Sequence, residues 1–315
     1  MRILLTGGTG SIGQVLVDKL LRRTNHTIII YSRDEQKQEK MAAKFSKYAD
    51  RLRFFLGDVR DKDRLRLAVS DSDQIIHAAA LKIVPALEYN PMEAVKTNVI
   101  GTQNLIECCL DSWVEKVIAL STDKAVAPVN LYGATKLCLE KLIIAANNIG
   151  RPVQFSAVRY GNVAMSRGSV IPKFLEQRNR GEKITITDER MTRFWITLDE
   201  ASDFILMCLD TMRGGEVFVP KMPSFRIADL ATILSPNHVE YVGKRPGEKI
   251  HEMIISEDEH GSAFDLDSYY VLTGNPDFGG KRLSGALTSE NFKMPIEELN
   301  NLLFRSALDE PLSSN

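Results

Sequence analysis

A glycine-rich segment near the start of the chain constrains the fold more than any other feature. Residues 6–13 read Thr-Gly-Gly-Thr-Gly-Ser-Ile-Gly, directly after a short apolar run and directly before the helical pattern Ser11–Arg23. A strand, a glycine turn and a helix in this order are typical of a dinucleotide-binding unit. Gly7 suits the tight turn, Gly10 lets the backbone approach a pyrophosphate, and Gly13 allows the helix to pack closely on the strand.

Short apolar runs and helical patterns alternate through the first 160 residues. The apolar runs lack the polar alternation of half-exposed strands, as is typical of strands buried on both faces of a parallel sheet. The alternation predicts an α/β fold with a Rossmann-type, doubly wound parallel sheet. We expect strands at Arg2–Thr6, Thr27–Tyr31, Leu52–Leu56, Gln74–His77, Lys116–Leu120 and Val153–Val158, and helices at Ser11–Arg23, Gln36–Ser46, Asp61–Val69, Pro91–Leu110 and Leu131–Asn148.

The pattern loosens after Arg159, where glycine and proline punctuate shorter elements. We therefore expect residues 1–160 to form the dinucleotide-binding domain. Residues 161–315 would form mainly a smaller, mixed substrate-binding lobe, partly interwoven with the first domain. Within that lobe, helices are expected at Ser169–Arg180, Leu198–Met212 and Arg226–Leu234, and strands near Lys183–Thr187, Glu216–Val219 and Val239–Val242.

Charge and cysteine usage limit the classes of partner and compartment. The 315 residues include 40 Lys and Arg and 41 Asp and Glu, for a net charge of -1, which gives no electrostatic basis for general nucleic-acid or membrane binding. No apolar run approaches the roughly 18 residues of a membrane span, and the chain opens directly into a predicted strand, without room for a signal peptide. The four cysteines lack metal-ligand spacing, which predicts free thiols in a reducing cytoplasm and no metal site.

The end of the second predicted strand, Tyr31-Ser32-Arg33-Asp34, indicates which dinucleotide binds. An NAD enzyme usually places an acidic residue there to bind the ribose 2′-hydroxyl. A guanidinium instead pairs with a 2′-phosphate, which a carboxylate would repel. Ser32 and Arg33 therefore predict NADP. Asp34 keeps NAD open as an alternative, because a shift of one residue would bring its carboxylate to the ribose.

Two polar motifs follow the fifth predicted strand. Thr122, Asp123 and Lys124 come at the strand end, and Tyr132 and Lys136 lie four residues apart at a helix start. The four-residue spacing puts the phenol and the amine on one helix face. A cationic lysine beside a phenol lowers its pKa, which predicts that Tyr132 accepts a proton during alcohol oxidation. Thr122 can hydrogen-bond the same substrate hydroxyl.

Longer segments carry a more specific resemblance. They are STDKAVAPVNLYGATKL, HAAALKIVPALEYNP, VRYGNV, SRGSVIP, MTRFWITLDE and RPGEKIHE. From about Arg2 to about Ile255 the chain resembles the UDP-N-acetylglucosamine 4,6-dehydratases that invert C5, within the extended short-chain dehydrogenase/reductase superfamily. The resemblance implies that Tyr132, Thr122 and Lys136 oxidise the sugar at C4. It further implies that Lys124 removes the C5 proton and that Asp123 protonates the departing C6 hydroxyl.

The same resemblance implies the binding residues and a homo-oligomer built on the helices around Pro91–Leu110 and Leu131–Asn148. For NADP these residues are Gly7, Thr9, Gly10, Ser11, Ile12, Gly13, Ser32, Arg33, Asp58, Val59, Ala78, Ala79, Ala80, Lys82, Asn98, Tyr132 and Lys136. For UDP-N-acetylglucosamine they are Lys82, Asn162, Val163, Arg167, Gly168, Ser169, Val170, Ile186, Arg193, Arg245 and Glu248.

Other functions on this fold remain open. A C4 epimerase or a simple reductase would use Tyr132 but needs no acid/base pair, and a non-catalytic NADP-binding regulator usually lacks the tyrosine or lysine. Retaining dehydratases also carry the Asp-Lys pair. Tyr132 within NLYGATK favours inversion, since the membrane-anchored retaining relatives resemble NVMGATK. As the C5 base, Lys124 needs a lowered pKa, which we expect from desolvation and from the nearby cations Lys82 and Lys136.

Overall fold

The computed structural model describes residues 1–166, 168–275 and 278–309, so the predicted ligand Arg167 lies outside the described residues. The first half of the chain forms six strands that alternate with helices. The strands are β1 (Arg2–Thr6), β2 (Thr27–Ser32), β3 (Leu52–Leu56), β4 (Gln74–His77), β5 (Lys116–Leu120) and β6 (Gln154–Val158). The helices are α1 (Ser11–Arg23), α2 (Glu35–Lys44), α3 (Lys62–Val69), α4 (Val84–Tyr89), α5 (Pro91–Ala94), α6 (Gly101–Leu110) and α7 (Leu131–Ala146).

These six strands are all parallel and lie in the order β3-β2-β1-β4-β5-β6. Side chains such as Leu4, Ile29, Ile76 and Val117 are fully buried, as expected for strands covered by helices on both faces. The order reverses between β1 and β4. Because ligands of such sheets bind at the carboxyl ends of the strands beside this reversal, the topology puts the glycine turn at the expected site. The predicted doubly wound α/β fold is confirmed.

The long predicted helix Pro91–Leu110 is not uniform. A π-helical stretch, Val95–Ile100, joins α5 to α6. Single π-helical turns of this kind occur frequently at functional sites. Here the stretch contains the fully buried Asn98, whose amide bonds the backbone of Leu81.

The second half of the chain extends the same sheet and adds a second core. Its strands are β7 (Asn162–Val163), β8 (Ile184–Ile186), β9 (Thr192–Ile196), β10 (Val217–Pro220), β11 (Ser224–Arg226), β12 (Val239–Tyr241), β13 (Met253–Ile255), β14 (Ala263–Asp265), β15 (Tyr269–Leu272), β16 (Lys281–Arg282) and β17 (Leu287–Thr288). Its helices are α8 (Val170–Asn179), α9 (Leu198–Thr211), α10 (Ile227–Leu234) and α11 (Ile296–Asp309).

Strand β10 pairs parallel to β6, and β15, β14 and β16 follow it as antiparallel strands. The later part of the chain thus completes a ten-stranded sheet with the first. The second core is separate and contains Phe174, Trp195, Phe225 and Leu230. Trp195 packs edge-on against Phe225, with ring centroids 5.2 Å apart. Over the described ranges, no helix has both the length and the apolar character that crossing a bilayer requires.

Candidate active site

A cavity of about 1030 Å³ opens at the carboxyl ends of β1, β2, β4 and β5. Most of the predicted contact residues line it. They are Gly7, Thr9, Gly10, Ser11, Ile12, Ser32, Arg33, Asp58, Val59, Ala78, Ala79, Ala80, Lys82, Thr122, Lys124, Tyr132, Lys136, Asn162, Val163, Gly168 and Ser169. A large concave site with a few convergent polar groups is the usual form of a cofactor and substrate pocket.

The glycine turn has the geometry that a dinucleotide requires. Gly7 has a φ of 68°, and a Cβ there would lie 2.8 Å from the backbone nitrogen of Ala79. A Cβ on Gly13 would lie 2.4 Å from the carbonyl oxygen of Gly8. Gly10 is the N-cap residue of α1 and offers no side chain to the N–H groups of the first turn. Those groups therefore remain available for a phosphate, and the residues present fit a dinucleotide.

At the end of β2, Arg33 and Asp34 make different contacts. Arg33 lines the cavity and its Nη1 lies 3.4 Å from Asp58 Oδ2. Asp34 instead accepts the Lys37 backbone N–H at 3.0 Å, as the N-cap residue of α2. Arg60 bonds the Asp58 carboxylate and outweighs the effect of partial burial, so the pKa of Asp58 is lowered. Both residues line the cavity, where the Arg33 guanidinium pairs with Asp58 and the Asp34 carboxylate caps α2 and pairs with Lys37.

Tyr132 and Thr122 both line the cavity, and Lys136 acts differently from the prediction. Thr122 Oγ1 donates to Asp123 Oδ1 at 2.9 Å. Burial raises the pKa of Tyr132 to about 12, against the opposing effects of the Lys124 cation and of Thr122. Lys136 Nζ donates to the Leu120 carbonyl at 2.5 Å, and burial lowers the pKa of Lys136 to about 8. The predicted lowering of the phenol pKa by Lys136 is therefore wrong, since burial dominates.

Lys124 and Asp123 form a close pair at the cavity wall. Lys124 Nζ lies 3.0 Å from Asp123 Oδ1 and 3.3 Å from Asn162 Oδ1. Asp123 is fully buried, which raises the pKa of its carboxyl despite the neighbouring ammonium. Burial acts to lower the pKa of Lys124, but the charges of Asp123 and Glu252 outweigh it and the net pKa is raised. The expected fall in the Lys124 pKa is wrong because carboxylates, rather than Lys82 and Lys136, dominate its surroundings.

Glu252 lies beside the acid/base pair and is not among the predicted residues. Its side chain is 4% exposed, and its Oε1 lies 3.3 Å from Lys124 Nζ. It ends the RPGEKIHE segment, directly before β13, and β13 packs beside the turn Asp123–Ala125. The resemblance of that segment points to Arg245 and Glu248, and no local pattern places Glu252 next to Lys124.

Several predicted contact residues lie outside the cavity lining. Asn98 holds the loop after β4 from behind, by the bonds to Leu81 described above. Arg193 donates to the carbonyls of Lys249 and Ile250, at 3.0 and 3.1 Å, so its guanidinium is occupied by backbone. The Ile186 carbonyl is also engaged by backbone, because it accepts the Val242 N–H at 2.8 Å. The others outside the lining are Gly13, Asp123, Val170, Arg245 and Glu248.

Arg245 and Glu248 form a local turn of their own. The Glu248 carboxylate accepts the Arg245 backbone N–H at 3.1 Å. Burial lowers the pKa of Lys173 on α8; the charge of Arg245 lowers it further, and the charge of Glu248 opposes this. No group of three or more His, Cys, Asp or Glu side chains suited to a metal ion occurs in the parts of the chain that the structure describes.

Comparison with known proteins agrees with this geometry. The family model for polysaccharide biosynthesis protein matches residues 3–274. A UDP-N-acetylglucosamine 4,6-dehydratase (inverting) from Campylobacter jejuni is 51% identical over 284 residues, which are 89% of this chain and 84% of that protein. A UDP-glucose 4-epimerase from Rickettsia prowazekii is 41% identical over 281 residues, 86% of this chain and 82% of that one.

Among solved structures, Pen from Bacillus thuringiensis aligns with a TM-score of 0.92 at 36% identity and covers 98% of both chains. A dTDP-glucose 4,6-dehydratase from Streptomyces venezuelae shares the fold, with a TM-score of 0.72 at 24% identity over 79% of this chain and 87% of that one. The extent and identity of these matches show that the chain belongs to the polysaccharide biosynthesis protein family, among the nucleotide-sugar 4,6-dehydratases.

Proposed function

We propose that the protein is an NADP-dependent dehydratase that converts UDP-N-acetylglucosamine to UDP-4-keto-6-deoxy-L-arabino-hexulose, with inversion at C5. The observation that carries the proposal is the contact of 3.0 Å between Lys124 Nζ and Asp123 Oδ1, in the same site as Tyr132 and Thr122. Oxidation of an alcohol needs Tyr132 alone, whereas elimination of water also needs a base and an acid. The similarity to an inverting dehydratase at 51% identity supports the same substrate.

The first step takes a proton from the C4 hydroxyl. Tyr132 accepts it as the phenolate, the form that the Lys124 cation favours and burial opposes, and Thr122 would hydrogen-bond the same substrate hydroxyl. The nicotinamide, when bound, supplies the hydride acceptor at C4 and the hydride donor at C6. Lys136 contributes by binding the Leu120 carbonyl and keeping the end of β5 in place beneath the cavity.

The second step eliminates water across C5 and C6. A proton that passes from Lys124 Nζ to Asp123 Oδ1 leaves a neutral amine and a neutral acid, which are the two forms the step requires. The amine then takes the C5 proton, made acidic by the C4 ketone, and Asp123 gives its proton to the departing C6 hydroxyl. Burial, which raises the pKa of Asp123, favours the protonated acid. A proton from water, added on the opposite face of C5, gives the inverted product.

Binding roles follow the division of the chain. Residues 1–160 would bind NADP, with Arg33 on the 2′-phosphate. Asp34 also lines the cavity, but its carboxylate is engaged as the N-cap of α2 and by Lys37. Residues 161–315 would bind mainly the UDP-sugar. Asn162 is the best supported of these contacts, because it lines the cavity and its Oδ1 reaches Lys124.

Compartment, assembly and biological role are part of the same proposal. All four cysteines are free, in keeping with a reducing cytoplasm. A homo-oligomer would cover the apolar side chains exposed around α4 to α6, namely Tyr89, Met92 and Ile100. The product would serve glycan synthesis, on flagellin or surface polysaccharide; the family description names polysaccharide biosynthesis.

Mass spectrometry after incubation with UDP-N-acetylglucosamine and NADP tests the proposal. We expect a product lighter than the substrate by one water, with no steady rise in reduced-nicotinamide absorbance, because the hydride returns to the sugar. A product of unchanged mass would favour the epimerase activity for which some relatives are named. Stoichiometric accumulation of NADPH would indicate a plain dehydrogenase.

A further inference from the structure

Glu252 is a buried carboxylate that the proposed chemistry does not use. Its backbone is held on both sides by Ser289: the Glu252 N–H donates to Ser289 Oγ at 2.9 Å, and the Ser289 N–H donates to the Glu252 carbonyl at 2.8 Å. Its Oε1 lies 3.3 Å from Lys124 Nζ. Its Oε2 is buried without a hydrogen-bond partner among the described residues. A buried carboxylate with an unsatisfied oxygen is costly, which points to a role beyond packing.

The charged groups around Glu252 come from three directions. Asp123 and Lys124 face it from the turn after β5. Arg193 of β9 places Nε 3.7 Å from Oε1, and Lys249 on its own segment places Nζ 3.8 Å from Oε2. His251 points elsewhere, with Nδ1 2.8 Å from Thr192 Oγ1 and Nε2 3.7 Å from Glu290.

Three cations within 4 Å keep Glu252 ionised. Despite burial, the charges of Lys124, Arg193 and Lys249 lower the pKa of Glu252. Its negative charge in turn raises the pKa of both members of the acid/base pair. An anion beside two coupled groups raises the pKa of both groups. The charge of Glu252 therefore shifts the two proton losses of the Lys124–Asp123 pair in the same direction, and the pair holds one proton at neutral pH.

We propose that Glu252 is the positioning residue of the Lys124–Asp123 pair: its buried charge orients the Lys124 amine and sets the pH range over which the pair carries one proton. This inference rests on the proposed dehydratase function for its kinetic readout, but its electrostatic part does not. Arg193 and Lys249 belong to the same device, since they hold the carboxylate in place. That assignment also accounts for the buried position of Arg193, which the resemblance places among the residues for UDP-N-acetylglucosamine.

Glu252→Gln removes the charge and keeps the shape and an acceptor oxygen for Lys124. Loss of the Glu252 charge lowers both apparent pKa values of the Lys124–Asp123 pair. The pH profile of kcat/KM for the release of water should therefore move by about one pH unit toward acid. Glu257→Gln is the matched control, because Glu257 lies nearby in the chain and its side chain is 73% exposed; its profile should stay at the wild-type position. A Glu252→Gln profile that keeps the wild-type position would overturn the proposal.

A second readout needs no turnover. Amines react with acetic anhydride only when neutral, and mass spectrometry of peptides gives the labelling rate of Lys124 at fixed pH. Glu252→Gln should label Lys124 about tenfold faster, the equivalent of one pKa unit. Lys249→Gln, which removes a neighbouring cation, should label it more slowly, and it tests the same electrostatics should Glu252→Gln not fold. Lys40, on the exposed surface of α2, serves as the internal reference.

The two readouts separate the inference from the function on which it rests. Faster labelling of Lys124 in Glu252→Gln, together with a wild-type protein that releases no water, would refute the dehydratase and leave the electrostatic role standing. Normal water loss in the wild type, with labelling and pH profile unchanged in Glu252→Gln, would refute the role of Glu252 alone.

Discussion

Gly133 and Lys124 are packed so closely that a Cβ on Gly133 would lie 2.1 Å from the Lys124 carbonyl oxygen. Gly133 sits between Tyr132 and Ala134 in the first turn of α7, and its N–H donates to the N-cap side chain of Asn130 at 2.8 Å. The start of the helix that carries the tyrosine is therefore packed directly on the turn that carries the acid/base pair. The position of Tyr132 relative to the Lys124–Asp123 pair therefore depends on the absence of a Cβ at residue 133.

Gly133→Ala should separate these two groups and lower kcat by about a hundredfold, since misplacement by about 1 Å has that effect. Gly261→Ala is the control, because a Cβ there meets nothing within 4 Å, and it should keep the wild-type kcat. Circular dichroism checks that both variants are folded. A folded Gly133→Ala enzyme with wild-type kcat would contradict the close packing.

Arg33→Ala tests the cofactor. A charge-assisted bond to the 2′-phosphate is worth about 1.5–3 kcal/mol, so NADP should bind roughly ten- to a hundredfold more weakly while NAD changes little. Titration calorimetry with both dinucleotides gives the two Kd values. Equal losses for NADP and NAD, or tighter binding of NAD by the wild type, would show that Arg33 does not select the cofactor.

Burial of the Lys136 ammonium lowers the free energy of unfolding of the folded protein. The unfolded chain keeps this lysine protonated to its ordinary pKa of 10.5, whereas burial in the folded protein lowers the pKa to about 8. Between these values the unfolded state binds more protons, so this contribution to the free energy of unfolding rises with pH. Below pH 8 the wild type carries the whole cost of a buried ammonium.

At pH 7, Lys136→Met should therefore unfold at a higher urea concentration than the wild type. Its free energy of unfolding should be greater by about 2 kcal/mol, a figure that already includes the loss of the bond to the Leu120 carbonyl. The difference should shrink as the pH rises from 8 toward 10.5. The variant should also lose activity, since the Leu120 carbonyl at the end of β5 loses its bond to Lys136. A difference in unfolding free energy that is the same at pH 7 and pH 9.5 would contradict the lowered pKa.

A buried ion cluster joins the first half of the chain to the segment after β13. Arg159 is 1% exposed and its Nη2 lies 2.6 Å from Glu140 Oε2 and 2.8 Å from Glu259 Oε1. Arg159→Met leaves Glu140 buried without its partner and should lower the free energy of unfolding by about 3–5 kcal/mol. Arg180→Met, which removes an exposed pair with Glu176, should change it by less than about 1 kcal/mol. Equal effects in urea unfolding would contradict the cluster's importance.

The sequence was informative where local pattern decides structure. The strands β1, β3, β4 and β5 have the predicted bounds, because a short apolar run between turn residues has few other places to go in a parallel sheet. The glycine turn and the Thr122, Tyr132 and Lys124 motifs meet in one cavity for a related reason. The glycine turn follows β1 and the Thr122–Lys124 segment follows β5, on either side of β4, so both lie at the carboxyl edge of the sheet, onto which α7 brings Tyr132.

The sequence was less informative where distant residues decide. Strand β9 is buried throughout, but it was not among the predicted strands, because Thr192 and Arg193 interrupt its apolar pattern. Arg193 can be buried because its guanidinium donates to carbonyls of a segment far along the chain. The pKa of Lys124 was predicted in the wrong direction for the same reason. Its sequence neighbour Asp123 was visible, but the second carboxylate, Glu252, reaches it only through the fold.

The central claim is that Lys124 removes the C5 proton and that the product is inverted at C5. NMR of the product formed from UDP-N-acetylglucosamine in D2O measures both features at once. We predict deuterium at C5 and couplings of the L-arabino configuration, and we predict that Lys124→Ala still binds NADP but exchanges no C5 hydrogen. A product of D-xylo configuration would contradict inversion, and normal C5 exchange in Lys124→Ala would show that another residue is the base.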